Sequence, residues 1–222
     1  LTTFSPSSLI LAILLFISIV LLVGCSQSKE EEIFKILESV VELEKGFEEQ
    51  QEPLVQLEEE EKALYEEILN LGLKETEQIN KLSDEAIALS EQRKELLNLE
   101  RESIEKAEKE FTKIKEQIEQ VEDEALKKLA NDLYTIMNHR YESHSKLYEQ
   151  YQLGIQYDQE LYNMLKDESV SLEQLREKVD EINSVYEEVY SLNETFNQLT
   201  QQYNEAKIEF YNKAELNYKL NE

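Results

Sequence analysis

One cysteine, two histidines and an unevenly spread set of tyrosines are the residues of this chain whose types and spacing could do chemistry. Cys25 follows Leu22-Val23-Gly24, at the end of an apolar run from Leu9 to Val23 that only Ser18 interrupts. A helix over that run spans roughly 22 Å, short of the ~30 Å hydrocarbon core of a bilayer. The length suits the apolar region of a signal peptide, whereas the alternative, an uncleaved anchor with an incidental cysteine, calls for a longer run. Leu22, Val23 and Gly24 then read as the lipobox that lipoprotein signal peptidase recognises, small enough beside the scissile bond to lie extended in a cleft. Cys25 is the thiol that accepts the diacylglyceryl group. As the sole cysteine it has no disulfide partner within the chain. Two acyl chains, palmitate-like in length, give stable anchoring at about 0.8 kcal/mol per buried CH₂. No Lys or Arg precedes the apolar run and the chain begins with Leu1, so a basic segment ahead of it is expected.

His139 and His144 are spaced by five, which sets them about 140° apart on a helix. They cannot share a metal as an i, i+4 pair does, and Ile136 and Tyr141 stand where a Glu-x-x-His motif would need glutamate. His144 falls near an apolar seam, where a hydrogen-bonded core histidine is expected. No phosphate-binding glycine loop or nucleophile elbow occurs. The run Glu58-Glu59-Glu60-Glu61 reads as a solvated helix face, since a specific Ca²⁺ or Mg²⁺ site needs converging ligands. No catalytic residue, metal, cofactor or small-molecule substrate is expected, and the protein does not read as an enzyme. Eleven of the twelve tyrosines lie between Tyr134 and Tyr218, with Tyr134, Tyr141 and Tyr148 at heptad spacing. Either they pack as a seam, or Tyr134, Tyr141, Tyr148 and Tyr151 form a rigid aromatic surface for a peptide, a glycan or a partner helix.

The elements that must position these groups are helices. After Cys25 only Gly46, Gly72, Gly154 and Pro53 break the pattern. Apolar residues step by three and four through Ile33, Ile36, Val40, Leu43 and Phe47, and again from Leu82 to Val121, Leu126 to Leu165 and Leu172 to Phe210. Glu, Lys and Gln fill the outer positions, as in coiled coils. The fold class is all-α: long antiparallel helices in an elongated coiled-coil-like bundle. Gly72 marks one helix end, Ser83 a helix start, Pro53 a kink or interruption, and Ser171 with Gln174 a capping box. Near Val121 the apolar phase slips with no breaker present. Four helices of about 45 residues, or three with a very long middle one, both fit. Residues 1–24 read as signal peptide, 25–28 as a short polar tether and 29–222 as a single helical domain.

The net charge is −26, all of it after the apolar N-terminus. Nucleic acid is excluded as a partner, because phosphate backbones are bound through Lys and Arg. An acidic, lipid-anchored helical body outside the membrane is the consistent picture. Segments that add to it are Phe47-Glu48-Glu49-Gln50-Gln51-Glu52-Pro53-Leu54, Leu133-Tyr134, Arg140-Tyr141, Leu147-Tyr148-Glu149, Glu160-Leu161-Tyr162 and Tyr203-Asn204-Glu205-Ala206-Lys207. With the lipobox, they give the chain a resemblance, over essentially its whole length, to the YkyA-type cell-wall-binding lipoproteins of bacilli. That resemblance implies a Gram-positive lipoprotein on the outer face of the cell membrane, turned toward the wall, with no established reaction. A body this acidic is repelled by anionic wall polymers, so wall binding needs divalent cations as bridges or a neutral glycan or peptide as the ligand. Two functions are carried forward: a structural or binding module of the cell envelope, and a holdase-like chaperone or assembly factor for exported proteins.

Overall fold

Long 3–4 spaced seams with few breakers produce long helices, and the structure, a computed structural model, bears this out over the residues it describes, 28–71 and 75–216. The elements are α1 (Lys29–Asn70), α2 (Thr76–Phe111), the short α3 (Ile114–Glu119), α4 (Glu124–Leu165) and α5 (Leu172–Lys213). No strand occurs among the described residues. The expected signal segment with Leu22, Val23 and Gly24, the expected lipidation residue Cys25, and Gly72 lie outside them.

Local chemistry sets the helix starts. The Ser28 hydroxyl accepts from the Glu31 amide at 3.2 Å, and Glu30, Glu31 and Glu32 occupy the electropositive first turn of α1. Ser171 and Gln174 form the expected capping box at α5. At the phase slip the chain divides into four long helices rather than three. Asp123 supplies the missing signal: its Oδ1 accepts from the amides of Ala125 and Leu126 at 2.8 and 2.9 Å, starting α4 without glycine or proline. Two local expectations are corrected. Ser83 is not a helix start but a buried interior residue of α2, which begins at Thr76. Pro53 does not interrupt α1, which continues on both sides of it.

α1 and α2 pack as one antiparallel pair and α4 and α5 as another, joined where α2 lies against α4. α1 and α5 are not packed closely backbone to backbone; they meet through side chains such as Phe34 with Tyr211 (ring centroids 4.9 Å apart) and Phe47 with Phe196 (5.6 Å). The largest apolar cluster sits at the Lys29 end, around Ile33, Leu37, Ile104, Phe111, Leu133 and Phe210. A smaller one at the opposite end holds Ile68, Leu82, Ala86 and Tyr162. Between them the buried seams turn polar. In α2 the buried series runs Ala86, Ser90, Arg93, Leu97, Glu100, Ile104, Ala107 and Phe111, still spaced by three and four. In α4 it carries Arg140, His144 and Asp158.

Candidate functional site

Because the two hairpins join through α2 and α4, the outer helices α1 and α5 leave a cleft between them at mid-length. It encloses a cavity of about 340 Å³, within the range of small-ligand sites. α1 contributes Phe47, Gln51, Val55 and Glu58 to its walls; α5 contributes Tyr186, Tyr190, Asn193 and Phe196. The floor is Leu97 and Glu100 of α2 with His144, Tyr148 and Tyr151 of α4. Tyr190 and Val55, at 67% and 52% exposed, stand at the opening. No Lys or Arg lines it.

His144 is the polar centre of the floor, 1% exposed, with its Nε2 3.2 Å from Oε1 of buried Glu100. A carboxylate only accepts, which assigns the ring hydrogen to Nε2. Nδ1 has no hydrogen-bond partner in the protein. The rings of Phe47 and Phe196 flank the imidazole at 5.8 and 5.5 Å. Phe196 is braced in turn by Arg140, whose guanidinium lies 4.5 Å from the ring centroid. Arg140 grips Glu44 of α1 with both terminal nitrogens, at 2.7 and 3.0 Å, and donates from Nε to Thr200 of α5 at 2.8 Å. One side chain on α4 thus ties α1 to α5 beside the cleft.

The far end of the cleft is closed by a network around Arg93, which is 3% exposed. Its Nη1 donates to Glu61 at 2.7 Å and to Asp158 at 3.2 Å, while Nη2 donates to Tyr186 at 2.8 Å and Tyr151 at 3.2 Å. Tyr186 passes a hydrogen bond on to Asp158 at 2.5 Å, and Tyr151 donates to Glu58. Burial works against the guanidinium's charge, yet Tyr151, Tyr186 and Glu61 around it raise its pKa further, so it stays a fixed cation. Burial likewise raises the phenols of Tyr151 and Tyr186, which remain neutral donors. Asp158 is pushed up to about 6, chiefly by burial, which outweighs the opposing Tyr186 hydrogen bond. Beyond the network lies a second cavity of about 430 Å³ between α1 and α5, which shares Glu58 and Tyr186 with the first.

The structure divides the tyrosine set. Tyr148 and Tyr151 line the cleft; Tyr148 donates to Asn98 at 2.8 Å, which fixes its ring. Tyr134 and Tyr141 do not share that surface. Tyr134 stacks on Phe111 at the Lys29 end, and Tyr141, 3% exposed, is core beside Arg140 and Glu44. The glutamate run is also not uniformly solvated, since Glu61 is buried on Arg93. His139 is exposed on α4 and apart from the cleft. Sequence reasoning missed the α1 and α5 walls. The signal was there in Asn193 and Phe196, which continue the 3–4 spacing from Tyr186 and Val189 into Thr200 and Tyr203. Among the described residues no group of three His, Cys, Asp or Glu side chains could hold a metal ion, and no helix is long and apolar enough to cross a membrane.

Comparison with known proteins places this architecture. A solved 1.6 Å crystal structure of a conserved protein of unknown function from Staphylococcus aureus shares the fold, with a TM-score of 0.70 at 17% identity over 82% of this chain and 93% of that one. "Uncharacterized lipoprotein YkyA" of Bacillus subtilis (strain 168) is 31% identical over 195 residues, 87% of each chain. The model of the YkyA family, described as "Putative cell-wall binding lipoprotein", matches residues 28–213. The chain belongs to the YkyA family of lipoproteins.

Proposed function

We propose that this chain is an extracytoplasmic lipoprotein, held to the cell membrane by a diacylglyceryl group on Cys25, whose helical body binds the cell wall through the cleft between α1 and α5. The observation that carries this reading is the cleft itself: aromatic and amide side chains from two helices whose backbones do not pack closely, over a floor residue with an unpaired buried nitrogen. The family description supports the class of target. Position supports it too. Phe47 and Glu58 lie about 27 and 44 Å along α1 from Lys29, so the cleft stands away from the end next to Cys25. A holdase fits less well. The seams are buried, and of the large exposed apolar side chains among the described residues, Val55, Leu69, Leu99, Leu172 and Tyr190, only Val55 and Tyr190 line the cleft, short of the broad apolar patch that client capture needs.

The test is a pull-down on purified wall sacculi with the full chain in detergent micelles. Wild type is expected to bind saturably, in EDTA as well as in divalent cations. Tyr190→Ala is expected to weaken binding at least tenfold, since an exposed ring is removed without disturbing the core. Absence of binding, or binding indifferent to this substitution, contradicts the cleft. Loss of binding in EDTA indicates cation bridging across the acidic surface instead. In cells, Cys25→Ser is expected to release the protein from the membrane fraction; retention there contradicts the lipid anchor.

A further inference from the structure

Resting on the proposed wall-binding role, the geometry points to an uncharged, hydroxyl-bearing sugar as the ligand of the cleft, with Nδ1 of His144 accepting one of its hydroxyls. Three observations converge on that chemistry. The first is the histidine. With Nε2 engaged by Glu100, Nδ1 of the neutral ring is a buried lone-pair acceptor without a protein partner, on a residue that lines the cavity. A buried acceptor left unpaired costs about 1–3 kcal/mol. A ligand O–H or N–H removes that cost.

The second is charge. The charged side chains facing the cavity are Glu58 and Glu100, with no Lys or Arg among its lining residues. A phosphate or carboxylate ligand would meet no counter-charge there, within a chain whose net charge is −26. An anionic ligand is disfavoured, and one rich in hydrogen-bond donors fits.

The third is the pairing of ring faces with amides. Sugars present an apolar C–H face and an equatorial ring of hydroxyls. Tyr190, exposed at the mouth, and half-buried Phe47 offer surfaces for the first. Asn193 and Asn197 suit the second: Nδ2 of Asn197 donates to Oδ1 of Asn193 at 2.7 Å, which leaves the Asn193 amide group to donate and the Asn197 oxygen to accept. Gln51 faces them from α1, its Nε2 already donating to the Phe47 carbonyl.

The experiment is titration of the full chain in detergent micelles with a neutral tetramer of β-1,4-linked N-acetylglucosamine, followed by calorimetry, beside the sacculus pull-down. His144→Gln keeps an N–H toward Glu100 while removing the Nδ1 acceptor. Wild type is expected to bind the tetramer, and His144→Gln to lose at least tenfold in affinity while keeping its helical content and a cooperative melt. Should His144→Gln fold poorly, Asn193→Ala on the exposed cleft edge is expected to show the same loss. Tetramer affinity unaltered in both variants overturns the assignment. Sacculi bound in a Tyr190-dependent way with no affinity for the tetramer also overturn the sugar, while leaving the cleft as a site for another class, such as an amine-bearing wall peptide. No sacculus binding by wild type overturns the wall-binding reading beneath it.

Discussion

Arg93→Met is expected to cost about 3–5 kcal/mol of stability at pH 7, measured by urea unfolding, the largest effect of any single substitution outside the apolar core. The reason lies in what the change leaves behind. Arg93 neutralises Glu61, 2.7 Å away and 4% exposed, and Asp158, 3.2 Å away, while orienting the hydroxyls of Tyr151 and Tyr186. Methionine fills the volume but leaves two carboxylates in a protein interior without a cation. Breaking such a pair from one side exposes its full desolvation cost, whereas replacing the whole group with neutral residues need not. Adding Glu61→Gln and Asp158→Asn to Arg93→Met is therefore expected to recover a large part of the loss. A loss under 1 kcal/mol for Arg93→Met contradicts the account of the network as a buried cation holding four helices together.

Asp158→Asn is expected to act in the opposite direction and to change the pH dependence of stability. In the folded protein Asp158 titrates at about 6, against an ordinary 3.8. Its protonated form is thus preferred by folding. The contribution is fully present below 3.8 and is lost as pH rises through about 6, so at pH 7 the ionised carboxylate costs roughly 3 kcal/mol. Asparagine keeps an oxygen for Arg93 and Tyr186 and carries no charge. The variant is expected to gain about 2 kcal/mol over wild type at pH 7 and to converge with it toward pH 4. Acidification also relieves repulsion across the acidic surface, which raises both proteins alike, so the difference between the two curves is the readout. Parallel curves from pH 4 to 7 contradict the burial of Asp158 as a charged group.

Much of the fold was legible because an amphipathic helix writes its burial into residue spacing. The capping box at Ser171 and the end of α1 before Gly72 followed from side-chain chemistry alone. The number of helices did not, because Asp123 starts α4 as an N-cap with no glycine or proline to mark the break. The site was less legible for a related reason. A stripe built only from apolar residues passes through Leu89 and Leu96, which are half-buried, and skips Ser90, Arg93 and Glu100, which hold the buried heptad positions. A charge at a seam position is the readable signal, and Arg140 and Asp158 repeat it in α4. The tyrosines divide for the same reason. Heptad spacing places residues on one helical face, but a face more than 40 residues long meets different neighbours along its length. Of the four on α4 read as one surface, Tyr134 therefore meets Phe111, Tyr141 meets Glu44, and Tyr148 and Tyr151 reach the cleft.

The central claim is that the surface between α1 and α5 recognises the wall. The most direct measurement installs a benzophenone amino acid at position 190, at the mouth of the cleft, or at position 99, exposed on α2 and outside it, and irradiates each full-length protein on purified sacculi. The expected result is sugar-bearing adducts at position 190 and none above background at position 99. Equal labelling at both positions, or labelling at position 99 alone, contradicts the cleft as the recognition surface.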